Sequence, residues 1–221
     1  MDKVLIIGDS QSQGVGSRLE RILRTRGDQV RRISRPGYGT NKILEVARSQ
    51  VDPIAYDRVY VFAGGNGTWA PSPAAPLKRD PESVAAMLAF FRRVPSLVWV
   101  GIPPATPITN LALGRKVFGS KVSSADYWSR TGTARRRREK SEMYRGLVEA
   151  SGRDYADPSL LLDPYPPQPD GIHVVGKAAE QLAAKIAAGE TGSRPPYAFI
   201  AGGFGLALGA LVIWTATREW K

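Results

Sequence analysis

The sequence predicts an α/β fold, a three-layer α/β/α sandwich built on a five-stranded parallel sheet. Three observations carry this. Short apolar runs recur down the chain at 4–7, 28–33, 58–63, 97–100 and 154–157, and helical patterns separate them. Three of the runs end directly on a glycine, Gly8, Gly64 and Gly101. Strands alternating with helices argue for a parallel sheet covered on both faces, with right-handed crossovers.

Each element has its own signal. Val4-Leu5-Ile6-Ile7 is a continuous apolar run ending in Gly8-Asp9-Ser10, the pattern of a first strand buried on both faces. Gly14 and Gly16 follow, and a helical pattern takes over at Leu19, Ile22 and Leu23. Residues 28–33 alternate apolar and polar as a second strand, and 35–40 read as a loop by their Pro and Gly content. Ile43, Leu44 and Ala47 give a short helical face that Pro53 ends. A third strand at 58–63 runs into Gly64-Gly65-Asn66-Gly67, and a Pro-rich loop covers 71–81. Asp80-Pro81-Glu82 opens a helix carrying Val84, Met87, Leu88 and Phe91. The fourth strand is 97–100. An irregular insertion at 105–133 follows, of the kind that becomes a lid or substrate wall in such domains. A helix starts at the basic run Ala134-Arg135-Arg136-Arg137-Arg138 and buries Met143, Leu147 and Val148. The fifth strand is short. A proline-punctuated loop at 157–170 leads to Gly171-Ile172-His173, and a last amphipathic helix from Val174 carries Ala178, Leu182 and Ile186. The whole is flavodoxin-like in style. The domain covers 1–189 and a polar linker covers 190–196.

Composition narrows the chemistry. The 221 residues contain 31 Lys plus Arg against 20 Asp plus Glu, a formal net charge of +11, which suits anionic surroundings. There is no cysteine, which excludes disulfides, thiol nucleophiles and zinc-thiolate sites. The single histidine, His173, excludes multi-histidine metal sites. No nucleic-acid motif accompanies the charge. The Arg135, Arg136, Arg137 and Arg138 run reads either as a solvated helix face or as a contact for anionic lipid or glycan.

Three loops at element ends concentrate reactive residues: Gly8-Asp9-Ser10, Gly64-Gly65-Asn66 and Asp170-Gly171-Ile172-His173. By itself Gly-Asp-Ser is also an ordinary turn and helix cap. A serine nucleophile needs a base within hydrogen-bond reach and a group that orients the base. Asp170, three residues before His173, has the spacing to hold Nδ1 and leave Nε2 facing Ser10. Charge developing on an acyl oxygen needs fixed donors, which an Asn side chain and glycine-rich backbone supply.

These blocks, in this order, resemble those of the SGNH (GDSL-type) hydrolase family across about residues 2 to 190. The resemblance implies carboxylic ester hydrolysis without metal or organic cofactor. It implies Ser10 as nucleophile, His173 as base and Asp170 as its orienting acid. The oxyanion hole would comprise the Ser10 and Gly37 N–H groups and the Asn66 amide, with Gly39 the other candidate for the second-block glycine. Two departures stand out. Gly67 replaces the family's Asp after the third-block Asn, and Gln11-Ser12-Gln13 follows Ser10 where an aliphatic residue is usual. Gly39, Trp69, Tyr127 and Trp128 are candidate substrate contacts, the aromatics of the insertion being either pocket wall or core. An O-acetylated glycan, including cell wall, or a lipid ester is the expected substrate. A non-catalytic interaction protein on the same fold is the alternative.

The C-terminal region has a different character. Residues 197–217 form a 21-residue stretch without a charge, flanked by Tyr197, Trp214 and Trp220 and closed by Arg218 and Lys221. At about 1.5 Å per residue, a helix of this length crosses a bilayer core. No signal peptide is visible at the start. The expectation is a tail-anchored layout, with the domain on the cytoplasmic side or inside a virion. Ala201, Gly205 and Gly209 form a small-residue face that permits pairing between spans.

Overall fold

A computed structural model of the chain describes residues 1–68 and 80–192. Trp69 and the candidate span at 197–217, with Ala201, Gly205 and Gly209, lie outside the described residues. Within them no helix is long and apolar enough to cross a membrane.

Five parallel strands, β1 (Lys3–Gly8), β2 (Gln29–Ser34), β3 (Arg58–Phe62), β4 (Ser96–Val100) and β5 (Asp154–Ala156), form one sheet in the order β2-β1-β3-β4-β5. The helices are α1 (Ser10–Thr25), α2 (Thr40–Gln50), α3 (Pro81–Phe90), α4 (Leu111–Phe118), α5 (Tyr127–Arg130), α6 (Thr133–Ala150), α7 (Pro158–Leu161) and α8 (Gly176–Ala187). The alternation of side chains along β1 explains its uninterrupted apolar run. Leu5 and Ile7 enter a core shared with α2, α3 and α6. Val4 and Ile6 enter a second core shared with α1, α7 and α8. Three layers result, as expected.

Two elements differ from the sequence expectation. Helix α1 begins at Ser10 rather than after the glycines, because the Asp9 side chain caps it by accepting from the Gln11 N–H at 2.9 Å. Gly16 lies inside it, where an added Cβ would stand 3.1 Å from Ile6 Cγ2, so the glycine lets helix and sheet approach closely. The insertion contains two short helices, α4 and α5, which close a third apolar cluster of Ile108, Val122, Tyr127, Trp128 and Ile172. Residues 190–192 remain against the domain, the Thr191 carbonyl accepting from the Asp157 N–H at 3.0 Å.

Candidate active site

The carboxyl ends of β1, β2 and β3 and the turn before α8 bring the reactive loops together, the place where open α/β sheets hold ligands. Ser10 is the first residue of α1. Its Oγ lies 2.9 Å from His173 Nε2, and His173 Nδ1 lies 2.7 Å from Asp170 Oδ2. The other Asp170 oxygen accepts the N–H groups of Ile172 at 3.0 Å and His173 at 2.9 Å, so one carboxylate shapes the turn and orients the ring. Burial pushes Asp170 up, but the bonds from the His173 ring and from these two N–H groups outweigh it and hold the carboxyl below its usual range. With the Nδ1 proton toward Asp170, Nε2 is free to accept from the Ser10 hydroxyl.

Asn66 and both second-block glycines sit on the facing side. The Asn66 amide donates to the Tyr38 carbonyl at 2.9 Å and stands 3.5 Å from Asp9 Oδ2. The loop of Gly37 and Gly39 is therefore tied directly to Asn66. The backbone N–H groups of Ser10, Gly37 and Gly39 find no acceptor among the described residues. Fixed N–H donors of this kind stabilise a developing oxyanion where they face the reacting carbonyl.

The structure chooses between the two readings of the insertion aromatics. Trp128, 1% exposed, donates its indole N–H to the Asp170 carbonyl at 2.7 Å, and Tyr127 packs edge-on against it. Both belong to the buried cluster of the insertion, Trp128 directly against the Asp170–His173 turn, rather than to a substrate wall. Phe118 faces the site instead, stacked on the His173 ring with centroids 5.9 Å apart and planes within 8°. Of the insertion aromatics, Phe118 is the one that the pocket-wall reading fits, while Trp128 and Tyr127 fit the core reading. Phe118 also meets Trp128 edge-on with centroids 4.9 Å apart, so Phe118→Ala should lose about 0.5–1.5 kcal/mol per aromatic contact, read as a lower melting temperature.

The basic run is also corrected. Arg136 and Arg137 are 1% and 3% exposed, as is Lys140 at 2%, so they present nothing to an anionic surface. Only Arg135, paired with Glu139, and Arg138 lie on the exposed face. Gln11, the first residue of the departure after Ser10, has a structural role of its own. It is buried and donates to the Ile172 carbonyl at 3.1 Å, joining the nucleophile's helix to the histidine's turn.

Asp9 is buried under the nucleophile. Burial pushes its carboxyl up to about 6, against the opposing pull of the Gln11 N–H, Arg137, His173 and the Gly65 N–H. A raised carboxyl favours the folded state fully below its unfolded value and ceases to do so as pH rises through the folded one. Between about pH 4 and 6 the wild type should therefore lose about 2 kcal/mol relative to Asp9→Asn, measured by urea unfolding across that window.

No family model matches the chain, and no curated protein sequence matches it. Solved structures do. A lipase/acylhydrolase from Enterococcus faecalis superimposes with a TM-score of 0.62 at 19% identity, covering 86% of this chain and 95% of that one. A GDSL-like lipase from Bacteroides thetaiotaomicron gives 0.59 at 14% identity, covering 85% and 86%. A catalytic mutant of an acetylxylan esterase from Geobacillus stearothermophilus gives 0.59 at 15% identity, covering 88% and 97%. At these identities the likeness is one of architecture, and the chain has the three-layer, five-stranded fold of the SGNH (GDSL-type) hydrolases.

Proposed function

We propose that this protein is a serine esterase that hydrolyses a short-chain carboxylic ester, an O-acetyl group on a glycan being the best fit. The observation that carries this is the unbroken chain of contacts from Ser10 Oγ through His173 to Asp170. Ser10 Oγ attacks the ester carbonyl as its proton passes to His173 Nε2. The Ser10 and Gly37 N–H groups and the Asn66 amide receive the negative oxygen. The tetrahedral intermediate then collapses, and His173 returns the proton to the departing alkoxide, leaving an acyl-Ser10. Water, deprotonated by His173, repeats the sequence and releases the acid. Asp170 stays ionised throughout and steadies the imidazolium.

One feature favours a sugar. The rings of Phe118 and the exposed Tyr38 flank the reactive loops, and flat apolar faces of this kind suit a sugar ring. The acetylxylan esterase above acts, by its name, on such a substrate.

The test is a p-nitrophenyl ester series from acetyl to octanoyl, with fluorophosphonate labelling and mapping of the modified peptide. Acetyl preference with the label on Ser10 is the expected result. Octanoyl preference assigns the site to lipid esters instead, and a label found elsewhere sinks the mechanism. Residues 197–217 are proposed as a bilayer anchor on their uncharged length, so the full chain should stay with membranes through carbonate extraction.

A further inference from the structure

Three cations lie on the inner side of α6; two of them bond to carbonyls of the same short loop, and the third packs against it. Arg136 Nε donates to the Thr68 carbonyl at 2.8 Å, and Lys140 Nζ reaches the Asn66 carbonyl at 3.4 Å. Arg137 lies against Gly65. A Cβ built there would stand 3.6 Å from both an Arg137 guanidinium nitrogen and Asp9 Oδ2. Positions 136, 137 and 140 share one helix face, and Tyr144, one turn further on, extends it. Tyr144 packs beneath Gly64, donates to Asp80 at 2.6 Å and meets Thr40 Oγ1 at 2.6 Å, while Lys140 pairs with Asp80 at 3.0 Å. Gly67, inside the loop, has no side chain with which to brace it.

Arg137 also spans the rest of the site. Its Nε donates to the Pro103 carbonyl at 2.7 Å and a terminal nitrogen reaches the Ile172 carbonyl at 3.5 Å, one residue before His173. Asp9 and Asp170 both act on it electrostatically, and burial lowers its own pKa. Burying three cations is costly, and pairs of this kind add little net stability. What they do supply is fixed geometry for carbonyl groups that would otherwise be mobile.

We infer that the buried basic face of α6, Arg137 and Lys140 above all, positions the Gly65–Thr68 loop so that the Asn66 amide stays aligned with Ser10. This deepens the esterase reading and rests on it for its kinetic consequences. These are positioning residues, since none of them touches the reacting atoms.

The test compares Arg137→Met, Lys140→Met and the conservative Arg137→Lys and Lys140→Arg, with Arg138→Met on the exposed side of α6 as control. Misalignment of one oxyanion donor costs up to about 100- to 1,000-fold, so the methionine variants should lose about 10- to 100-fold in kcat and in the phosphonylation rate of Ser10, with KM within about twofold. The conservative variants should recover part of that loss. Amide exchange should accelerate across 64–68 but not in β1 or α8. Folded variants with wild-type phosphonylation and wild-type loop exchange overturn the proposal, as does an equal loss in Arg138→Met. A wild type that takes no label refutes the esterase reading, and loop exchange then decides the bracing by itself. Should the methionine variants not fold, unchanged kcat and loop exchange in both conservative variants also overturn it.

Discussion

Ser10→Ala should lower kcat on a short-chain ester by about 10,000- to 1,000,000-fold, because in the proposed mechanism its hydroxyl oxygen forms the acyl intermediate. His173→Ala should fall into the same range, and the double variant no further, since the two side chains act as a unit. The residual rate would come from oxyanion donors and binding alone. The 2.9 Å contact between Ser10 Oγ and His173 Nε2 makes the two inseparable in this way. Steady-state kinetics against p-nitrophenyl acetate, with circular dichroism to verify folding, provides the measurement. A Ser10→Ala protein within about tenfold of wild type would remove serine catalysis from consideration.

Gly8→Ala should be the most damaging of the small substitutions for stability. A Cβ at this position would stand 2.0 Å from the Phe62 carbonyl oxygen and 2.6 Å from Phe62 Cβ, in the paired register of β1 and β3. The same carbonyl accepts the Asp9 N–H at 2.8 Å, so relief of the clash pulls that bond apart too. Neither partner is the movable end of a long side chain. A loss above about 4 kcal/mol is expected, against a total of about 5–15 for a domain, so the variant should melt about 10 °C lower or fail to accumulate as soluble protein. Gly14→Ala is the contrast. Its nearest contact is the Val174 carbonyl at 3.5 Å, and alanine is the better helix former by about 1 kcal/mol, so it should match or exceed wild type. Thermal melts of the two variants side by side would decide.

Much of this architecture was legible because it is local. The continuous apolar run of β1 announces burial on both faces, and the Asp170–His173 spacing closes within four residues. The reactive loops were legible for a related reason, since each sits where a strand ends or a helix begins. What escaped was set by distant parts of the chain. Arg136 and Arg137 read as a charged helix surface because cations on helices usually face water. Their burial, and that of Lys140 beside them, depends on carbonyls at Thr68, Pro103 and Asn66, which lie far away in sequence. The aromatics of the insertion were legible only as either pocket wall or core. Neither α4 nor α5 is long enough to show a helical period, so nothing distinguished Phe118 beside the histidine from Trp128 beneath it.

The indole hydrogen bond from Trp128 to Asp170 makes the insertion something other than an interchangeable module. Loop grafting is a common route to a new specificity, and residues 105–133 look like the natural cassette to exchange. Here the donor loop would also have to rebuild the floor under the charge-bearing acid, with an indole at the right depth and Ile108 and Val122 to seat it. A library confined to exposed positions of α4, with Trp128 and its neighbours held constant, can vary selectivity without dismantling the proton relay.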